Sequence, residues 1–326
     1  MNYKLLSASI LTLLLASCAI TAPVKQSSEL NLELLKATWK GDVQKVRSLI
    51  QHGADVNAVL MNRTTVLIDS VRKSRVEVMK ELLSRGADIN AVDQSGSSAI
   101  TYSTALGNIR VTRMLLEHGE KINSGNVKGN TPLLMAVSNG HVLVVKALLK
   151  YGANVNEKRN DGWSPLMVAS KKGYIEMVNI LLNNGADVNS QSKDGGTSIS
   201  YAAASGYSNI VSILLKYGAN INLKNNSGRS TLLSAVSGGD IESVKLILDS
   251  GALINATDQL DDEEMTPLFI AAIKGDIQMG EYLIARGADI NDKNQRGENA
   301  RALALVVGQH DMANFLATSW YDEGVY

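Results

Sequence analysis

Residues 128–156 read KGNTPLLMAVSNGHVLVVKALLKYGANVN. This stretch spells two short helices and the turns that bound them. Thr131 stands where an N-cap belongs, its hydroxyl able to accept from an otherwise unpaired N–H of the first turn. Pro132 follows at the first helical position, where its missing N–H costs nothing. Leu133 and Ala136 begin an inner helical face, and Gly140 breaks the helix. A second helix runs from Val142 to Lys150, with Val144, Val145, Leu148 and Leu149 at helical spacing. Gly152 closes it, since glycine enters the left-handed conformation after a helix without a Cβ penalty.

Working outward, the string Gly-x-x-x-Asn recurs at Gly53, Gly86, Gly119, Gly152, Gly185, Gly218 and Gly251, each 33 residues apart, and again at Gly287 after 36. A fixed period of this length marks a repeat array. The residues after the glycine repeat as well: Ala54-Asp55-Val56-Asn57, Ala87-Asp88-Ile89-Asn90, Ala186-Asp187-Val188-Asn189 and Ala288-Asp289-Ile290-Asn291. The pattern resembles the ankyrin repeat, one β-turn plus two helices. The resemblance implies an all-α fold, an ankyrin-repeat solenoid of about nine helix-turn-helix units with β-turn or hairpin loops. Residues 29–57 lack the Thr-Pro-Leu start and read as an N-terminal cap; residues 296–320 read as the C-terminal one. Terminal repeats differ because one of their faces meets water.

Helix starts are kept where the family's proline is not. Pro appears only at Pro132, Pro165 and Pro267, whereas a capping residue stands at Thr65, Ser98, Thr131, Ser164, Thr197, Ser230, Thr266 and Asn299. The glycine between helices becomes Ser74 in one unit, which marks a local weak point. The family's His after Thr-Pro-Leu is absent throughout, so a polar network between repeats is expected to be missing.

Lys plus Arg and Asp plus Glu both number 32, so the formal net charge is zero. Neutrality and an aromatic content of 5% argue against a nucleic-acid binder, which needs excess cations or stacking platforms. The single cysteine, Cys18, permits no intrachain disulfide and no cysteine-rich zinc site. No catalytic motif is present, and no cofactor or metal is expected. His52, His118, His141 and His310 fall in four different repeats; His52 and His118 precede helix-ending glycines, where a cation suits the helix C-terminus. The lengthened segment with Asp258, Asp261, Asp262, Glu263 and Glu264 reads as a solvated acidic hairpin tip. A calcium loop there would need a glycine turn that is absent.

Residues 1–18, MNYKLLSASILTLLLASC, place a short positive end before an apolar run from Leu5 to Leu15. The run is too short for a membrane-spanning helix of about 20 residues and has the length of a signal-peptide core. Leu15-Ala16-Ser17-Cys18 resembles the lipobox of bacterial lipoproteins. The resemblance implies cleavage before Cys18, acylation of its thiol and amine (a palmitate-labelled lipoprotein), and a periplasm-facing anchor in the outer membrane. The alternative is an ordinary secretory signal cut near Ala22. Residues 1–17 are then signal peptide, 18–28 lipidated cysteine and tether, 29–320 the repeat domain and 321–326 a tail. A ten-residue tether reaches at most about 35 Å.

The family implies contacts from hairpin tips and from the exposed end of each first helix. By position, the tips hold Thr64, Ser97, Asn130, Trp163, Gly196, Arg229, Met265 and Glu298. The helix ends hold Trp39, Lys40, Arg72, Lys73, Leu106, Asn139, Lys171 and Lys172, a basic inner face that turns small at Ala204, Ser205, Ser237 and Gly238. Trp163 is the candidate hot spot, because an exposed tip gives a Trp no core to fill; the alternative is that it packs on a neighbouring tip. The expected function is a membrane-anchored protein-protein interaction module, most concretely an immunity or inhibitor protein neutralising an envelope-acting toxin such as a phospholipase effector. The alternative is a periplasmic scaffold assembling endogenous envelope proteins.

Overall fold

A computed structural model of the chain describes residues 28–260 and 263–322. Helix α1 covers residues 28–40. It is followed by α2 (Val43–Gln51), a 3-10 turn (Met61–Arg63), α3 (Val66–Arg72), α4 (Val76–Ser84), α5 (Ala99–Ala105) and α6 (Ile109–Glu117). Then come α7 (Pro132–Ser138), α8 (Val142–Lys150), α9 (Pro165–Lys171), α10 (Ile175–Asn183), α11 (Ser198–Ala204), α12 (Ser208–Lys216), α13 (Thr231–Gly238) and α14 (Ile241–Asp249). Strands β1 (Asp258–Leu260) and β2 (Glu263–Met265) precede α15 (Pro267–Lys274), α16 (Ile277–Ala285), α17 (Ala300–Val306) and α18 (His310–Asp322). The described helices form the nine pairs expected from the period. Among the described residues no helix is long and apolar enough to cross a membrane.

The described chain divides into two compact units, one reaching to Met135 and including Lys150–Gly152, the other made of Ala136–Leu149 and the residues from Ala153 onward. In the first, α3 packs on α4 and α5, α5 on α6, and α2 on α4. In the second, α9, α11, α13, α15 and α17 pack each on the next, while α10, α12 and α14 form a row behind.

Helices of seven to nine residues fall short of the roughly 12–15 needed to hold in water alone, so burial must hold them. The second helices α10, α12, α14 and α16 each carry a fully buried side chain at the same register: Leu181, Leu214, Ile247 and Leu283. A buried Leu or Ile contributes about 1.5–3 kcal/mol. The first helices meet through small side chains instead, with Ala169, Ala202, Ala235 and Ala271 fully buried. The limit of this approach is Gly238, where a Cβ would stand 2.5 Å from the Ala203 carbonyl oxygen.

Caps appear largely as the sequence predicts. Thr65, Thr131, Ser164, Thr197, Ser230, Thr266 and Asn299 each accept the N–H three residues on. Ser98 is the exception and makes no such bond. The Ile100 N–H goes to Glu120 Oε1 at 2.8 Å, a carboxylate from the following turn.

The missing family His leaves no gap, because asparagine carries the links between repeats. Asn189 Oδ1 accepts the Asn220 N–H at 2.7 Å, and its amide donates to the Gly218 carbonyl at 3.1 Å. Asn57, Asn90, Asn156 and Asn255 accept from the next repeat in the same way. Within the loops, the side-chain oxygens of Asp93, Asn126, Asn225 and Asn294 each accept two backbone N–H groups of their own turn. A buried or half-buried turn thereby has its donors satisfied without histidine.

The acidic segment forms an antiparallel hairpin, Asp258 facing Met265 and Leu260 facing Glu263. Asp258 corrects the picture of a solvated tip. It is fully buried, accepts the Ser230 N–H and pairs with Lys224 Nζ at 2.8 Å. Asp261 and Asp262 lie outside the described residues.

Candidate partner-binding surface

In the first unit the C-terminal ends of α1 and α3 line one groove and carry exposed side chains. Trp39 is 57% exposed, and Lys40, Arg72, Lys73 and Leu106 are exposed as well. Lys73 Nζ stands 5.9 Å from the Trp39 ring centroid, and Arg72 Cζ lies 5.2 Å above the Tyr102 ring. Arg75 Nε donates to the Trp39 carbonyl at 3.3 Å. Cations over rings contribute about 0.5–1 kcal/mol at exposed sites, enough to bias the side chains without burying them. Trp39, Lys40, Arg72 and Lys73 line an open groove of about 580 Å³ together with Leu32, Leu35, Leu60 and Asp69.

The second unit has a different aromatic–cation surface. Trp163 is half-buried, its ring stacked on Tyr201 with centroids 4.2 Å apart and planes 27° apart. Arg159 Cζ and Lys171 Nζ each lie 5.1 Å from the Trp163 centroid. The Tyr201 hydroxyl donates to Asp194 at 2.8 Å. Burial pushes its phenol up to about 12, with Asp194 adding to the shift, so Tyr201 stays protonated at any physiological pH. Lys172 donates to the Ser138 carbonyl at 2.8 Å.

These surfaces hold cations, rings and apolar side chains. Such a set can bind and orient a ligand. The buried carboxyl of Glu120, raised by burial to about 7, is 6% exposed and belongs to a turn. Among the described residues no group of three or more His, Cys, Asp and Glu side chains is placed to hold a metal ion.

The sequence model of the family described as Ankyrin repeats (3 copies) matches residues 34–126, 121–192, 184–258 and 253–323. The chain belongs to the ankyrin-repeat family. No curated protein matches it. Ankyrin repeats are a protein-protein interaction module.

The ankyrin tip positions are less open than their register suggests. Thr64, Ser97 and Met265 are buried. Trp163 packs on the helix of the next repeat, which corrects the expectation of an exposed tip. Arg229 is half-buried and donates from Nη2 to Ser237 Oγ at 2.7 Å. The helix-end positions Trp39, Lys40, Arg72, Lys73, Leu106, Asn139, Lys171 and Lys172 are all exposed. Cys18 lies outside the described residues.

Sequence reasoning missed the groove floor and the tyrosines. Leu32, Leu35 and Leu60 sit in or beside the atypical first repeat, where the family register offers no guide. Tyr102 and Tyr201 share one position of the first helix, and each hydroxyl reaches a carboxylate of its own turn, Asp93 at 2.6 Å and Asp194. A loop Asp followed a few residues later by a helical Tyr was the available signal.

His52 and His118 prove to be helix-end residues. Nδ1 of each lies 2.7 Å from the carbonyl four residues back, of Ser48 and Met114, the geometry of an Nδ1–H donor.

Proposed function

We propose that the protein is a lipid-anchored binding protein of the bacterial envelope that captures another protein and blocks it. Its most concrete form is an immunity or inhibitor protein against an envelope-acting toxin such as a phospholipase effector. The observation that carries the binding part is the exposed Trp39 with Lys40, Arg72 and Lys73 around an apolar groove. A large apolar ring left in water beside cations that make no ion pair among the described residues has no role in the core of its own chain. The anchoring part rests on Leu15-Ala16-Ser17-Cys18. Acylation at more than one position gives stable attachment, at about 0.8 kcal/mol per buried CH₂, and a short tether would hold the array where a membrane-active toxin works.

Two measurements test this. Radiolabelled palmitate enters the wild-type protein and not Cys18→Ala; equal labelling removes the anchor. Deletion of the gene sensitises cells to toxin-bearing kin alone, and a pull-down from envelope extracts retrieves that toxin. Retrieval of host envelope proteins with no change in sensitivity supports a scaffold instead. That second reading has its own observation: each compact unit carries an aromatic–cation surface, around Trp39 in one and Trp163 in the other, as an adaptor for two partners requires.

A further inference from the structure

The groove of the first unit is built from two chemistries at once. Its floor is aliphatic, with Leu32 52% and Leu60 38% exposed and Leu35 half-buried. Its rim is cationic: Lys36 and Lys40 on α1, Arg72 and Lys73 at the end of α3. The one carboxylate in the lining, Asp69, is buried in α3. Lys36 shares the exposed Glu33 at 2.9 Å. Lys40, Arg72 and Lys73 make no ion pair among the described residues, and the contacts they do make are to rings or to solvent. Several unneutralised cations held within a Debye length of about 10 Å create a potential that attracts anions and repels cations.

We propose that this groove takes an acidic segment of a protein partner that seats a large apolar side chain against Trp39 and the leucine floor, while its carboxylates meet Lys40, Arg72 and Lys73. The proposal deepens the capture function above and rests on that reading. Apolar floor and cationic rim have separate tasks. Burying the apolar side chain in about 580 Å³ contributes affinity, and the rim contributes encounter rate and register. Concavity decides between a peptide and a membrane. The leucines and the cations line one pocket of about 580 Å³, which a protruding side chain can enter and a flat lipid surface cannot fill.

The test uses the purified full chain and fluorescently labelled synthetic peptides. One peptide is made of Glu with two Leu at helical spacing; a second replaces Leu by Ser; a third replaces Glu by Lys. Anisotropy should show that the Glu/Leu peptide binds, that the Ser version binds about tenfold more weakly or worse, and that the Lys version does not bind. Trp39→Ala should erase the difference between the Glu/Leu and Glu/Ser peptides. Lys40→Glu with Lys73→Glu should lower affinity for both by about tenfold or more. Both sets of side chains are exposed, and an unchanged circular dichroism spectrum confirms that the variants fold. Wild-type affinity in either variant, or no binding of the Glu/Leu peptide, overturns the proposal. So does equal sensitivity of phosphatidylglycerol vesicle binding to both variants, which would reassign the groove to lipid. Retrieval of a toxin in the pull-down with these variants binding it normally would leave the capture function standing and remove the groove from it.

Discussion

The Glu120 carboxylate accepts the Ile100 N–H at 2.8 Å and so does for α5 what Ser98 does not. Its other oxygen is buried. At the equivalent position the other repeats carry alanine, among them Ala87 and Ala153. A carboxyl in this place gains a helix cap and bears the cost of a desolvated charge.

Stability should therefore fall as pH rises toward neutrality. Burial raises the Glu120 pKa from 4.5 to about 7. Below 4.5 both states hold the proton. Between the two values the folded state holds it and the unfolded state does not, so raising the pH favours unfolding. The loss is on the order of 3 kcal/mol and is complete above the folded pKa. Glu120→Gln keeps an acceptor for Ile100 and removes the titration. Urea unfolding from about pH 5 to about pH 8 should show this contribution in the wild type and not in the variant; parallel profiles would assign the pH dependence elsewhere.

Ser74 occupies the turn between α3 and α4 with φ of 55°, where the other repeats have glycine at φ of 69° to 83°. A non-glycine residue in the left-handed region costs about 1–2 kcal/mol, part of which returns as lower chain entropy in the unfolded state. Ser74→Gly should stabilise the protein by roughly 0.5–1 kcal/mol. A rise in the urea midpoint checks it, and a fall would show that the Ser74 side chain is worth more than its strain.

Gly238 is the last residue of α13, and a methyl there meets the Ala203 carbonyl of α11 at 2.5 Å. Backbone cannot yield as a flexible side chain can. Gly238→Ala should cost about 1–3 kcal/mol through separation of the two helices, despite the better helix propensity of alanine. An unchanged melting temperature would mean that the repeats tolerate wider spacing than α11 and α13 adopt.

Trp163 and Tyr201 should be coupled in stability before they matter to any partner. Stacked rings contribute about 0.5–1.5 kcal/mol beyond the area they bury. A double-mutant cycle of Trp163→Ala and Tyr201→Ala, read by urea unfolding, measures this term. Additive losses would mean the stack has no energetic content, and would return Trp163 to the role of a surface anchor.

Much of the architecture was readable because its causes are local. Thr131, Pro132 and Gly152 state helix limits within a few residues of where they act, and the 33-residue period states that neighbours are alike. The helix-end positions were exposed as the register required. The failures came where a side chain answers to the next repeat. Ser98 looked like a cap, yet it accepts no helix N–H, and Glu120 from the next turn accepts that of Ile100 instead. Asp258 looked like a solvated charge until Lys224 and Ser230 enclosed it. The groove floor was invisible because Leu32 and Leu60 lie where the first repeat departs from the pattern.

The amino-acid sequence determined the repeat, its nine helix pairs, most of its caps and its membership of the ankyrin-repeat family. Propensity, capping and periodicity act over a single turn or a single unit and need no knowledge of what packs where. The tertiary structure alone decided which polar groups are buried, which rings touch and which cations stand open. Those depend on side chains that one repeat presents to the next, about thirty residues away in the chain. Trp163 is bound to its own neighbour for that reason, and Trp39, at the end of an atypical first helix, remains exposed.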